Sequence, residues 1–304
     1  MKAVVVGYGS IGQRHARLLK AMDVETAVVS NRAIDFSLAF KDLQEALERF
    51  SPDYIVIANK SSDHYAALVQ LVESGWKGTV LVEKPLFHDG RQLPSGHDLQ
   101  IFVAYNLRFH PVLLRLRAAI QQEQIISVNC YCGQYLPTWR PDRDYRLSYS
   151  SRREEGGGVL RDLSHELDYL SWLFGGWKRL CALGGQYSSL EITGDDTCAI
   201  LLEMDRCPVV GLQINYVDRP GRRELLVVTD RHTYKVDFSK GTFHQDDHCE
   251  SVLVERDVTY IAQHRAILHN RWDELCSVQE GHDVVKMIEA VERAIELKEW
   301  VWNE

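Results

Sequence analysis

Residues 2–14, KAVVVGYGSIGQR, set Gly7, Gly9 and Gly12 directly behind an unbroken apolar run, and no other feature constrains the chain as tightly. Ala3, Val4, Val5 and Val6 suit a strand buried on both faces, while Ile11, Leu18 and Met22 recur at helical spacing beyond the glycines. A strand, a glycine turn and a helix in this order read as a dinucleotide cradle. Gly7 permits the tight turn, Gly9 lets the backbone approach a pyrophosphate, and Gly12 lets the helix pack closely on the strand. The helix then presents free amide N–H groups to anionic oxygens. A merely structural turn is the competing reading of the same residues.

With 304 residues, 45% of them hydrophobic, the chain can bury a large interior and suits two domains better than one. A formal net charge of -8 argues against general affinity for nucleic-acid phosphates or anionic membranes. No apolar run approaches the ~18 residues of a membrane span. The first residues read as strand rather than signal peptide, so the expectation is a cytoplasmic protein. Seven cysteines without a CxxC pair indicate neither a disulfide framework nor a zinc site, and reduced thiols are expected. Cys130 and Cys132 fall with Ile126 and Val128 on one face of a strand, which favours packing over metal binding.

Apolar strands and amphipathic helices alternate up to about residue 121, with strands expected at 2–6, 25–29, 54–58, 79–83 and 101–105 and helices at 11–22, 42–50, 62–74 and 110–121. This is the pattern of a parallel sheet with crossover helices, whose ligands bind beyond the carboxyl ends of the strands. From about residue 125 the strands lengthen and alternate, at 125–135, 179–189, 196–204, 208–217, 223–229 and 232–238. The expected fold class is therefore α/β. A Rossmann dinucleotide-binding domain over 1–121 precedes an α+β domain over 122–304, with a mostly antiparallel open sheet, for substrate binding and oligomerisation. Within it, a helix over 162–174 carries Leu163, Leu167, Leu170 and Phe174 on one stripe, with His165 and Trp172 nearly opposite. A closing helix near 282–300 has Val284, Ile288, Val291 and Ile295 at core spacing, free to pack back on the first domain.

Two segments carry candidate chemistry. TVLVEKPL, 79–86, ends a strand in Glu83, Lys84 and Pro85, placing an ammonium group where a nicotinamide would lie if the glycines hold its pyrophosphate. A strand-end lysine is ordinarily a solvated residue. Pro85 fixes the local backbone, with a cis bond as one way of aiming Lys84. GGGVLRDLSHELDYLSWLFG, 156–175, supplies Asp162, His165 and Asp168 at intervals of three. Asp162 as a helix cap and His165 as a surface residue is one account. The other has His165, oriented by a carboxylate, exchanging a proton with a substrate hydroxyl.

GYGSIG at the start, EKPL after a later strand and GGGVLRDLSHELDYL in the second half together resemble the Gfo/Idh/MocA family of nicotinamide-dependent oxidoreductases. The resemblance extends to DYIVIANKSSDHYAAL, 53–68, as a strand with its cofactor-contacting loop, and to VAYNLRFHP, 103–111, as the segment closing the dinucleotide domain. It implies that Lys84 is the catalytic lysine, His165 the active-site histidine and Asp162 the accompanying carboxylate. Many members space the aspartate and histidine by four residues rather than three, and often carry Thr-Pro where this chain has Asn59 and Lys60. Cofactor contacts are implied for Tyr8, Ser10, Ile11, Ala58, Asn59, Lys60, His64, Glu83, Lys84 and Asn106 beside the three glycines.

NAD-selective sites usually end the second strand in an acidic residue, whereas ETAVVSNRA ends in Ser30, Asn31 and Arg32. Arg32 suits a 2′-phosphate, so NADP(H) is expected over NAD(H). The loop YLPTWRPDRDYRLSYSSRREE, 135–155, gathers Arg140, Arg143, Arg146, Arg152 and Arg153 among Trp139, Tyr145 and other aromatics. Arg140 and Arg152 suit a carboxylate or phosphate, and Trp139 or Tyr145 a sugar face or base. Asp142, Asp144, Glu154 and Glu155 neutralising these arginines is the alternative. The expected reaction is hydride transfer between a nicotinamide and a secondary alcohol on a sugar, sugar acid or nucleotide-sugar, probed at the hydroxyl by His165 as base and Lys84 as donor. Alternatives on the same scaffold are an NAD-retaining glycosidase and a non-catalytic dinucleotide-sensing regulator. The substrate is expected to be an anionic sugar derivative, with no nucleic acid, membrane or metal partner, and the protein a homodimer or homotetramer.

Overall fold

The computed structural model describes residues 1–303. In chain order the elements are β1 (Lys2–Val6), α1 (Ser10–Ala21), β2 (Glu25–Val29), β3 (Ala39–Phe40), α2 (Leu43–Phe50), β4 (Tyr54–Ile57), α3 (Ser61–Glu73), β5 (Gly78–Val82), β6 (Leu99–Val103), α4 (Pro111–Ala119) and β7 (Ile125–Gly133). They continue with α5 (Val159–Asp162), α6 (His165–Phe174), β8 (Trp177–Gly185), β9 (Thr197–Met204), β10 (Val210–Asn215), β11 (Arg222–Thr229), β12 (Thr233–Asp237), β13 (Thr242–Gln245) and β14 (His248–Ser251). The last are α7 (Val258–Leu268), β15 (Cys276–Ser277), α8 (Val278–Leu297) and β16 (Val301–Trp302). The chain divides into two compact units, Met1–Asn106 with Thr259–Val285, and Leu107–Val258 with Lys286–Glu304.

The first unit is built on a seven-stranded sheet in the order β15-β6-β5-β4-β1-β2-β3. Its strands run parallel except β15, which pairs antiparallel with β6. Ala3, Val4 and Val5 are completely buried, as an apolar strand covered on both faces requires. β1 sits between β2 and β4 with Val6 in register with both Val29 and Ile57. The strand order reverses here, and the gap beyond the carboxyl ends of β1 and β4 is where such sheets take ligands. The glycine turn after β1 and the 58–61 loop after β4 both lie at that edge.

The second unit has a nine-stranded sheet in the order β14-β13-β12-β11-β7-β10-β9-β8-β16, antiparallel except for the pair β7 and β10. Val128, Cys130 and Cys132 of β7 are buried, but Ile126 is exposed, against the expectation that it shares their face. The register explains this. Val228 pairs with Ser127 and Thr229 with Ile125, so Ile126 is the extra residue of a bulge and the face alternation flips there. All seven cysteines are free thiols.

The expected single helix over 162–174 is two pieces. α5 ends at Asp162, and α6 starts at His165 after Leu163 and Ser164 leave the helical ladder. Asp162 does not cap a helix. The N-terminus of α5 is capped by Asp195, whose Oδ2 accepts from Leu160 N–H at 2.9 Å. Asp162 instead accepts a hydrogen bond from Tyr216, just beyond β10, at 2.7 Å. The apolar stripe survives the break, with Leu163, Leu167, Leu170 and Phe174 buried. Among the described residues no helix is long and apolar enough to cross a membrane.

Candidate active site

The glycine turn has the geometry of an anion cradle. Gly7 has φ of 96°, and a Cβ there would lie 2.7 Å from Asn59 N and 2.8 Å from Ala58 C. At Gly12 a Cβ would strike the carbonyl oxygen of Gly7. Both glycines are required by backbone packed against them. Gly9 differs: nothing lies within 4 Å of a Cβ placed there. Gly9 is the N-cap of α1, no side chain caps that helix, and its first amide N–H groups have no partner within the helix. Across the edge, the α3 end also lacks a side-chain cap. Asn59 Oδ1, Ser61 Oγ and His64 Nε2 are buried there without hydrogen-bond partners. Buried polar atoms left bare in this way fit the amide, hydroxyl and phosphate groups of a dinucleotide.

Ser30, Asn31 and Arg32 follow β2. Ser30 Oγ accepts from Arg32 N–H at 3.2 Å, which curls the turn and leaves the Arg32 side chain exposed. Tyr8 packs edge-on against Phe36, 5.6 Å between ring centres. Asn106 is buried and gives its side-chain N–H to Thr259 Oγ1 at 2.7 Å.

The EKPL turn extends β5. The Lys84–Pro85 peptide bond is cis. His64 of α3 donates through Nδ1 to the carbonyls of Pro85 and Leu86, at 3.1 and 3.2 Å. Burial lowers the pKa of this imidazole, so it stays neutral and its bare Nε2 is an acceptor. Glu83 is buried beside it. Burial pushes the carboxyl up, but the hydrogen bond and charge of His15 and the charge of Lys84 outweigh that and hold it below its ordinary value.

In the second unit, His165 opens α6 and is only 9% exposed. Asp162 takes the hydroxyl of Tyr216 and that of Tyr149; burial and then the carboxylate raise Tyr216, and the carboxylate and then burial raise Tyr149, both well above the ordinary phenol pKa. Trp139 stands edge-on to Tyr216, 5.4 Å between ring centres, with its buried Nε1 bare. Arg140 lies close enough to act on Tyr149 electrostatically. Trp139, Arg140, Tyr149, Asp162 and Tyr216 thus form one cluster. Asp168, expected near His165, is committed elsewhere: it pairs with buried Arg108 at 2.7 Å.

The arginine loop resolves into two groups. Arg146 grips Asp144 and Glu191, Arg152 pairs with Glu155, and Arg153 reaches Glu292. Arg140 and Arg143 have no carboxylate in ion-pair range among the described residues. Tyr145 accepts from the Glu191 backbone N–H at 3.1 Å. Sequence reasoning passed over Tyr149, Tyr216, His15, Tyr54 and His264. His15 offered a signal, one turn beyond Gly12 on the face that packs on the sheet; the others did not.

Residues 1–95 match the model of the oxidoreductase family with an NAD-binding Rossmann fold, and residues 113–244 match the Gfo/Idh/MocA C-terminal domain. An uncharacterized oxidoreductase of Synechocystis sp. is 25% identical over 70% of this chain and 60% of its own length. Levoglucosan dehydrogenase of Pseudarthrobacter phenanthrenivorans is 22% identical over 59% of this chain and 52% of its own length. The chain therefore spans little more than half the length of the curated relatives it matches. Among solved structures, levoglucosan dehydrogenase in complex with NADH superposes with a TM-score of 0.85 at 14% identity, covering 99% of this chain and 98% of that one. The WlbA dehydrogenase from Bordetella pertussis, in complex with NADH and UDP-GlcNAcA, gives 0.82 at 17% identity, covering 100% and 98%.

Proposed function

This chain belongs to the Gfo/Idh/MocA family of oxidoreductases, and we propose that it interconverts a secondary alcohol and a ketone on a sugar, sugar acid or nucleotide-linked sugar. One observation carries the reading: an uncapped, unobstructed glycine cradle at Gly9 shares its sheet edge with a lysine whose neighbouring carboxylate is held ionised. The nicotinamide ring, when bound, takes or returns the hydride. The glycines and the N–H groups of α1 hold the diphosphate, and Asn59, Ser61 and His64 offer their bare polar atoms to the same molecule. His165 acts as the base on the substrate hydroxyl, because an imidazole needs little perturbation to be unprotonated near pH 7. Lys84 donates to that oxygen and favours the developing alkoxide. Asp162, holding two phenols, positions rather than reacts.

NADP(H) is preferred over NAD(H) in this reading. No carboxylate ends β2 to accept from a ribose hydroxyl, and exposed Arg32 suits a 2′-phosphate. Arg140, with no carboxylate partner beside Trp139, favours an anionic sugar derivative. The exposed Leu183 and Leu201 on neighbouring strands β8 and β9 suit a second copy of the chain, giving a homodimer or homotetramer. The reading is tested by screening sugars, sugar acids and nucleotide-sugars for absorbance change with NADPH and NADP+, then NADH and NAD+. Turnover of one such class supports it. Tight cofactor binding with no turnover on any of them refutes it.

A further inference from the structure

We propose that His15, His264 and Tyr54 are positioning residues for Lys84, acting through Glu83 along a buried chain of hydrogen bonds. The inference rests on the role given to Lys84 above. His15 Nε2 lies 2.8 Å from Glu83 Oε1, His15 Nδ1 lies 2.8 Å from His264 Nε2, and His264 Nδ1 lies 3.0 Å from the Tyr54 hydroxyl. The four residues come from α1, the end of β5, α7 and β4, all within the first unit. His15, His264 and Tyr54 are completely buried. The remaining oxygen of the carboxylate, Oε2, accepts the backbone N–H of Lys84 at 3.3 Å.

Donors and acceptors along the chain are consistent with one direction, toward Glu83. Ionised Glu83 is acceptor only, so His15 must give it Nε2–H. Where His15 Nδ1 takes Nε2–H from His264, the bare Nδ1 of His264 takes the Tyr54 hydroxyl proton. Every donor then points toward Glu83, and no polar atom of the chain is wasted. Burial, followed by the charge of His15, lowers the His264 pKa well below its ordinary value, while burial and Glu83 raise that of Tyr54, both in keeping with a neutral imidazole and an intact phenol. The charged or titratable groups facing Glu83 are His15, Lys84, His64 and Tyr54, and Tyr260 packs edge-on to His15. A carboxylate clamped from one side by this chain, and bonded on the other to the Lys84 backbone, fixes where the lysine begins. A core needing only stability fills such a space with apolar side chains at no loss.

The test is 15N-histidine NMR of the full chain from pH 5.5 to 8.5, for wild type, Tyr54→Phe and His264→Gln, with thermal midpoints and turnover on whatever substrate the screen identifies. Expected in wild type is a neutral His264 ring that does not titrate over this range. Tyr54→Phe, which removes one oxygen, alters the ring pattern of His15 two links away and shifts the Lys84 backbone amide. It also lowers kcat by roughly tenfold or more at unchanged KM. His264→Gln, which keeps an amide donor for His15, retains more of the turnover. A His264 ring that titrates near neutrality overturns the proposal. So does a Tyr54→Phe variant that loses thermal midpoint alone, with His15, Lys84 and kcat unmoved. Should no substrate be found, the oxidoreductase reading fails, and the ring patterns still decide the chain.

Discussion

Replacing Gly9 by alanine separates the cradle's ligand role from its structural one. Gly9 has φ of -76° and ψ of -172°, ordinary extended backbone that alanine adopts freely, and a Cβ there meets nothing within 4 Å. The folded chain therefore accommodates the methyl group, and the loss of unfolded-state freedom stabilises it by ~0.4–1 kcal/mol. For a chain of this size that leaves the thermal midpoint unchanged or a few degrees higher, at ~2–4 °C per kcal/mol. The same methyl group occupies the space a diphosphate needs to reach the N–H groups of α1. Losing one charge-assisted hydrogen bond costs about 1.5–3 kcal/mol, so the Kd for NADPH or NADH rises ~10- to 100-fold. Fluorescence titration of the reduced cofactor, beside a thermal melt, reads both quantities. Gly12→Ala is the contrast: its Cβ strikes the Gly7 carbonyl, so the midpoint falls along with affinity. A Gly9→Ala protein that binds cofactor as tightly as wild type refutes the placement of the diphosphate.

Further outcomes follow from the same geometry. Asp168→Asn removes the carboxylate charge that Arg108, 3% exposed, pairs with and destabilises the fold by about 3–5 kcal/mol in urea titration; a loss under ~1 kcal/mol contradicts a buried pair. His110 is pushed down to about 4 by burial and by the charge of Arg223. Its unfolded form takes a proton near ~6.5, so its contribution is complete above that pH and is lost as pH falls toward 4, up to about 3 kcal/mol at ~1.4 kcal/mol per pH unit. Urea titrations at pH 7 and 4.5 show this slope, and His110→Leu flattens it. Arg32→Ala weakens NADPH binding and leaves NADH binding as it was; equal effects on both cofactors remove Arg32 from the 2′-phosphate.

Much of this was legible because local pattern and tertiary structure agree. β1, α1, β2 and β4 stand where their apolar periodicity puts them, since each strand is covered on both faces and each helix on one. The short strands β3, β13, β14, β15 and β16 are two to four residues long and leave no alternating run to read. α7 escaped for another reason. It buries polar Thr259, Gln263 and His264 along with Ala266 and Ile267, so its inward face is not an apolar stripe. The break between Asp162 and His165 is likewise invisible in spacing, and the partner that Asp162 takes, Tyr216 just beyond β10, is far off in sequence. At the site, glycines and the strand-end lysine announce themselves through position, whereas the partners that hold Glu83 and Asp162 meet only after folding.

The most direct measurement is turnover by Lys84→Ala and His165→Ala, on a substrate established with wild type, alongside cofactor titration of each variant. The account predicts that both variants still bind the dinucleotide and that each loses turnover by ~10²–10⁴-fold. Full turnover in either variant would contradict it.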